Sequence, residues 1–393
     1  MTIVILGGGL AGAKTAEALR AQGYDGAVVL IAGEAHHPYE RPPLSKGYLG
    51  GRDERASFKA LADGWYAEHD VELRQGTTAT AVDFVAHQVV LDDGSRVGYD
   101  KLVLATGASP RVPAVRGAES ALYLRTVEDS DRLRESFTAG SRLVVVGGGW
   151  IGLEAASAAR QAGVEVTVVH SSALPLVRVL GPEVGQVFAD LHAEHGVEFR
   201  FNAEAQEISA AGVRLADGTE LPADHVLVAV GAVPNVELAE GLEVDNGVVV
   251  DATLRTSDPD VYAVGDVANA FNPALGKHIR VEHWANALNQ PATVAAAILG
   301  KGAAYQEQPY FFTDQYDLGM EFVGDVDGYD QVVFRGDVPG REFIAFWLKA
   351  GVVVAGMNVN VWDVNDTIKS LIGTSPDVDR LTDPDVDLVA STR

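Results

Sequence analysis

A short glycine pattern occurs twice in this chain, each time between an apolar run and a helix-forming stretch. GGGLAG begins at Gly7, directly after Ile3-Val4-Ile5-Leu6, and GGGWIG begins at Gly147, directly after Leu143-Val144-Val145-Val146. A buried-type strand, a glycine turn and a helix in succession form the opening of a dinucleotide-binding βαβ unit. In such a unit one glycine (Gly7, Gly147) makes the tight turn. A second (Gly9, Gly149) lets the backbone approach a pyrophosphate, and a third (Gly12, Gly152) lets helix and strand pack closely. The phosphates then sit on the helix N-terminus, where free N–H groups and the helix dipole favour an anion. Two copies, about 140 residues apart, predict two bound dinucleotides and electron transfer between them.

The surrounding chain repeats this organisation. Helices are predicted over about Ala11–Gln22 and Leu153–Gln161, followed by strands over Val28–Ile31 and Val164–Val169. Two further apolar strands end in a small residue and glycine: one runs from Leu102 through Ala105 to Gly107, the other from Val226 to Gly231. Proline follows each closely (Pro110, Pro234), so these segments read as chain crossings between domains. The alternation of strand and helix indicates open α/β sheets. From about residue 315 the chain turns β-rich, with strands predicted over Val332–Phe334, Glu342–Leu348 and Val352–Val354, and a last helix near Val364–Leu371.

A length of 393 residues accommodates about two to three domains with their own cores. With no cysteine, disulfide scaffolding and thiol redox chemistry are both excluded. The first strand starts at residue 2, which leaves no room for a secretory signal, and no apolar run approaches the ~20 residues of a membrane span. A cytoplasmic protein is therefore expected. Its formal charge of −25, from 30 basic and 55 acidic residues, repels nucleic acid and anionic membranes.

Two acidic residues fall at informative positions. Glu34 lies 27 residues past Gly7, near the spacing at which a carboxylate accepts hydrogen bonds from an adenosine ribose. Asp266, in Ala263-Val264-Gly265-Asp266, is placed to hydrogen-bond a ribityl or phosphate group beside a helix.

Five blocks carry a family resemblance: PYERPPLSKGYL (Pro38 to Leu49), ATGASPR (Ala105 to Arg111), TSDPDVYAVGDVA (Thr256 to Ala268), EHWANALNQ (Glu282 to Gln290) and FFTDQYD (Phe311 to Asp317), which opens the C-terminal domain. In this order they resemble the FAD-dependent NAD(P)H:ferredoxin reductases that serve oxygenases and cytochromes P450, a branch of the glutathione-reductase-like flavoproteins. The resemblance covers nearly the whole chain. It implies an α/β fold of two Rossmann-like dinucleotide-binding domains plus a C-terminal α+β domain. The FAD domain would be discontinuous (1–110 and 240–314), the NAD(P)H domain would span 111–239, and the C-terminal domain 315–393.

By the same resemblance, Gly7, Gly9, Gly12, Glu34, Arg41, Lys46, Ala105 and Asp266 would hold FAD, with Trp284 near the flavin ring. Gly147, Gly149, Gly152, Glu154, His170 and Gly231 would belong to the nucleotide site. Lys46 resembles the family lysine beside the flavin N5 edge and Glu154 the glutamate that pairs with it. A cation there would stabilise negative charge on reduced flavin, and a paired carboxylate would lower the desolvation penalty of burying it. The loop that carries the redox cysteines of the glutathione reductases reads PPLSKG here, so electrons would leave the flavin by outer-sphere transfer or directly to a small acceptor.

The chain departs from the family pattern in two places. His170, followed by Ser171 and Ser172, stands where NADH-selective members usually carry a carboxylate, and Arg178 is the nearest arginine. NADH is expected from the family habit, with NADPH as the open alternative. Pro309-Tyr310-Phe311-Phe312 replaces a stretch that usually carries tryptophans. A small acidic ferredoxin is the expected partner, the protein being a monomer or homodimer. The segment from Gln315 to Arg393 has 14 acidic against 6 basic residues, so docking would call on a basic patch drawing on Lys277, Arg280 or Arg335. Two other readings keep the flavin: reduction of a quinone or other small acceptor, and an apoptosis-inducing-factor-like regulatory role.

Overall fold

Both glycine patterns fold as strand, turn and helix in the computed structural model, which describes residues 1–302 and 304–388. The C-terminal limit expected at 393 lies outside the described residues. The chain divides into two compact units. One comprises Met1–Pro42, Glu54–Ser109 and Ala232–Pro309; the other comprises Pro43–Asp53, Pro110–Gly231 and the chain from Tyr310 onward.

The first unit is built on a five-stranded parallel sheet in the order Val261–Ala263, Lys101–Leu104, Thr2–Leu6, Ala27–Ala32, Val71–Gln75. Ile3, Val4 and Ile5 are fully buried, as expected where helices cover both faces of a parallel sheet. The helix Leu10–Ala21 follows the first strand and packs along the helix Trp284–Ile298. Strand order reverses beside Thr2–Leu6, and Gly7 leaves the C-terminal end of that strand, where open α/β sheets bind their ligands.

The second unit repeats the plan with a four-stranded parallel sheet in the order Glu198–Phe201, Glu165–His170, Arg142–Val146, His225–Val228. The helix Trp150–Gln161 follows Arg142–Val146. Each unit also carries a small three-stranded antiparallel sheet: Ala79–Asp83, Gln88–Leu91 and Arg96–Gly98 in the first, Ala205–Ser209, Gly212–Leu215 and Glu220–Pro222 in the second. The duplication therefore extends beyond the glycine patterns that reveal it.

The C-terminal part is a five-stranded antiparallel sheet in the order Tyr310–Gln315, Leu318–Gly324, Val352–Val359, Glu342–Lys349, Gln331–Asp337. One face, with Met320, Phe343 and Trp347, packs on Leu153, Leu180 and Phe188 of the helices Trp150–Gln161 and Val177–Glu194. The other, with Phe346 and Val353, packs on Ile368 and Leu371 of the helix Asn365–Leu371. A Cβ at Gly356 would stand 2.3 Å from Ile368 Cγ2, so this strand residue has to be glycine for the helix to lie where it does.

Two strands of this sheet escape the sequence reading, and the limit drawn at 314/315 falls inside the first of them. In Tyr310–Gln315 the fully buried positions are Thr313 and Gln315, while Asp314 is exposed. Polar residues at inward positions erase the apolar alternation by which a half-buried strand is recognised.

Candidate cofactor and redox site

The three glycines of each pattern divide the work in the same way. Gly7 and Gly147 have φ of +123° and +118°, and a Cβ there would come within 2.1 Å of the Ala105 carbonyl oxygen and 2.2 Å of the Ala229 carbonyl oxygen, respectively. Backbone conformation and close approach to the adjacent strand both demand glycine. At Gly12 and Gly152 a Cβ would meet the carbonyl oxygens of Gly7 and Gly147 at 2.0 and 2.1 Å, so helix and turn touch without room for a methyl group.

Gly9 and Gly149 differ. Their φ values of −84° and −88° are open to any residue, and no atom beyond the adjacent residues lies within 4 Å of either Cβ position. Neither helix N-terminus receives a side-chain cap. Each unit thus presents uncapped N–H groups to a space that its own atoms leave free, which fits a pyrophosphate.

In the first unit, Arg41 Nη2 donates to Glu34 Oε1 at 2.8 Å, and the Tyr39 hydroxyl donates to the other carboxylate oxygen. Glu34 and Arg41 are each about one-third exposed, so the pair is rigid yet reachable. Asp266 lies in the short helical turn Gly265–Val267; a Cβ at Gly265 would stand 3.0 Å from Ala11 Cβ, which places this turn against the start of the first glycine-pattern helix. The backbone N–H of Gly265 donates to the buried Gln290 Oε1 at 2.7 Å, locking the turn to the helix that Trp284 begins. Trp284 Nε1 donates to Glu40 Oε2 at 2.9 Å. Ala105 follows Lys101–Leu104 and has its carbonyl at Gly7.

In the second unit, Lys46 and Glu154 form a buried ion pair, with Nζ 2.8 Å from Oε1. Glu154 also accepts hydrogen bonds from Thr313 Oγ1 at Oε1 and from Ser45 Oγ at Oε2. The pair lines a cleft of about 370 Å3 together with Ser45, Arg52, Asp314 and Tyr316. Asp314 reaches the surface, but the cleft wall partly desolvates its carboxyl and raises it above the ordinary range, against the opposing charge of Lys46. Ser45, Thr313 and Asp314 were missed in the sequence: a serine beside Lys46 and two residues on an unrecognised strand carry no local signature.

His170 ends the strand Glu165–His170, and its ring packs on the turn at Gly148, whose N–H donates to Nδ1 at 3.1 Å. Burial, with the Arg178 charge adding to it, pushes its pKa below the ordinary histidine value. The ring is therefore neutral near pH 7 and one nitrogen is committed to the backbone. Gly231 has φ of +103° and accepts at its carbonyl from Arg111 N–H, at the chain crossing.

Two of the three basic residues considered for docking are committed within their own units. Arg280 pairs with Glu282 and reaches the Asp266 carbonyl at 3.3 Å. Arg335 donates to the carbonyls of Leu381, Asp383, Pro384 and Val386, tying down the C-terminal segment of its own unit. Lys277 and Arg280 belong to the first unit and Arg335 to the second. Phe311 packs against Trp150 and Phe322, and Lys46 Nζ lies 5.2 Å from the centre of the Phe312 ring. Among the described residues no cluster of three or more metal-ligating side chains occurs, and no helix is long and apolar enough to cross a membrane.

Residues 1–291 match the family described as pyridine nucleotide-disulphide oxidoreductase, and residues 310–392 match the reductase C-terminal family. The ferredoxin–NAD(+) reductase component of the anthranilate 1,2-dioxygenase system of Burkholderia cepacia is 42% identical, over 98% of this chain and 98% of that protein. Putidaredoxin reductase of Pseudomonas putida is 40% identical over 91% of this chain and 88% of that protein. Among solved structures, the covalent putidaredoxin reductase–putidaredoxin complex matches with a TM-score of 0.95 at 37% identity, covering 100% of this chain and 98% of that one.

Proposed function

The chain belongs to the pyridine nucleotide-disulphide oxidoreductase family and carries its reductase C-terminal domain, and from this we propose that it is a ferredoxin–NAD(+) reductase. It is an FAD flavoprotein that takes hydride from NADH and delivers electrons singly to a small iron–sulfur protein serving an oxygenase or cytochrome P450. The observation that carries this reading is the pair of open glycines, Gly9 and Gly149. Each stands at an uncapped helix N-terminus where nothing in the protein requires glycine and a pyrophosphate does.

FAD, when bound, supplies the exchange between two-electron and one-electron chemistry. The chain's own residues supply position and charge. Gly7, Gly9 and Gly12 shape the diphosphate approach in the first unit. Glu34, held by Arg41 and Tyr39, is oriented to accept from a ribose, and Asp266 from a ribityl hydroxyl. Trp284 and Ala105 would line the same site. Gly147, Gly149 and Gly152 shape the approach for NADH in the second unit, with Gly231 at its rim.

Lys46 is the cation we assign to reduced flavin, and Glu154 keeps it charged and in place. A neutral His170, tied to the turn through Nδ1, offers no positive charge to a 2′-phosphate, which supports NADH over NADPH. The absence of cysteine removes the dithiol of the family's name, so no thiol carries electrons onward. We place the protein in the cytoplasm, with a small ferredoxin as partner.

The test is direct. Purified protein should show a flavin spectrum, bleach on NADH addition and reduce one [2Fe–2S] ferredoxin from a panel with saturation kinetics. Faster saturable turnover with a quinone than with every ferredoxin would replace this reading with small-acceptor reduction.

A further inference from the structure

Glu154 is held by more than Lys46 and Ser45. From its Oε1 a line of hydrogen bonds runs into the interior. Thr313 Oγ1 lies 2.6 Å from that oxygen, Gln315 Nε2 lies 3.1 Å from Thr313 Oγ1, and His192 Nε2 lies 2.7 Å from Gln315 Oε1. The four side chains come from the helix Trp150–Gln161, the edge strand Tyr310–Gln315 and the helix Val177–Glu194. All are buried: Glu154 is 3% exposed, Thr313 and Gln315 1%, His192 0%.

The chemistry of the groups dictates the direction of every bond. A carboxylate only accepts, so the Thr313 hydroxyl donates to Glu154 and its oxygen must accept. Gln315 then turns its NH2 toward Thr313 and its carbonyl toward His192, which requires the proton on Nε2. The other tautomer would place an N–H on Nδ1, which is buried without a hydrogen-bond partner, and would face a carbonyl with a lone pair. Burial also keeps this ring neutral, pushing its pKa down to about 4. All three donors therefore point toward the carboxylate.

We propose that His192, Gln315 and Thr313 are positioning residues, an oriented hydrogen-bond chain that fixes the Glu154 carboxylate and sets how much of the Lys46 charge it neutralises. Thr313 donates to the same oxygen that Lys46 pairs with. It draws negative charge from that oxygen and leaves more of the cation's field uncompensated, as partners behind a charged ligand do elsewhere. This rests on the assignment of Lys46 to reduced flavin, and it gives the first strand of the C-terminal sheet a part in tuning the redox site.

The experiment uses FAD-loaded protein and the variants Thr313→Val, Thr313→Ser and Lys46→Gln. It has two readouts: the midpoint potential of the bound flavin, and the 15N signature of the His192 ring, assigned by its loss in His192→Gln. Thr313→Val should shift the potential to more negative values and abolish the single Nε2–H tautomer, because Gln315 loses the partner that orients it. Thr313→Ser should restore both. Should Thr313→Val fail to fold, Gln315→Met, which removes both bonds of Gln315 at similar length, should abolish the single Nε2–H tautomer and shift the potential in the same direction but by less, since Thr313 still donates to Glu154.

A wild-type potential in Thr313→Val alongside a lowered one in Lys46→Gln overturns the inference and leaves the Lys46 assignment standing. An unmoved potential in both variants overturns the Lys46 assignment, and the tuning role with it. An equal shift in Thr313→Val and Thr313→Ser, or an Nδ1–H tautomer in the wild type, also overturns the oriented chain.

Discussion

Lys46 Nζ lies 2.8 Å from Glu154 Oε1, in a pair whose side chains are 13% and 3% exposed and 108 residues apart in the chain. Removing the lysine leaves a buried carboxylate without its counter-charge, which typically costs about 3–5 kcal/mol. Ser45 and Thr313 still donate to Glu154, so Lys46→Met is expected at the lower end of that range. Lys46→Met combined with Glu154→Gln should recover part of the loss. Urea unfolding at saturating FAD checks both, and a Lys46→Met stability equal to wild type would show that the pair is not buried as described.

The glycines predict opposite outcomes within one turn. Gly149→Val places its Cβ where no atom beyond the adjacent residues lies within 4 Å, so it should fold with near wild-type stability and lose NADH-driven reduction while remaining yellow. Gly152→Val drives a Cβ to 2.1 Å from a backbone carbonyl and should destabilise by about 3 kcal/mol or more. Gly9→Val should fold yet purify without flavin. Loss of FAD in Gly149→Val and retention in Gly9→Val would exchange the assignments of the two units.

At His170 the side chain ends the strand beside the second glycine turn, neutral and bonded to Gly148 N–H. His170→Arg adds a charged donor where a 2′-phosphate would stand, and should move the NADPH-to-NADH ratio of kcat/KM toward NADPH by about tenfold, the value of one charge-assisted hydrogen bond. His170→Glu should move it the other way. Equal ratios in all three proteins would place the ribose elsewhere.

His192 predicts a pH dependence of stability. Its folded pKa is pushed down to about 4 from an ordinary value of 6.5 by burial. Above pH 6.5 the ring is neutral in folded and unfolded chains, so it contributes no pH dependence. Between 6.5 and 4 the unfolded chain binds the proton first, and stability falls with pH at about 1.4 kcal/mol per unit, levelling off below 4 at a total of about 3 kcal/mol. The stability difference between wild type and His192→Gln, followed by denaturant unfolding from pH 8 to 4, should narrow across that window. A constant difference would mean that the ring titrates normally.

The parts of the fold legible in the sequence are those whose demands are local. A strand buried on both faces reads as an unbroken apolar run, and a turn at positive φ under a carbonyl reads as glycine, so Ile3–Leu6 with Gly7 and Leu143–Val146 with Gly147 could be placed from residues alone. Glu34 was reachable from spacing. Lys46 and Glu154 were reachable only through resemblance to a family, because no local rule links a lysine in a proline-rich loop to a glutamate one turn into a distant helix. Arg335 shows the reverse error: a basic residue that sequence offers to a partner is committed to four carbonyls of its own chain.

Sequence by itself determined that two dinucleotide units exist, where their turns lie and that no thiol takes part, since backbone conformation and residue chemistry are properties of a few neighbouring positions. Only the tertiary structure decided which glycines face open space and which face protein, and that His170 is bonded to the turn. It alone showed that Thr313 and Gln315 point inward to Glu154. These depend on which atoms distant segments bring within a few ångströms, and a polar residue on a strand looks the same in sequence whether it meets water or a buried carboxylate.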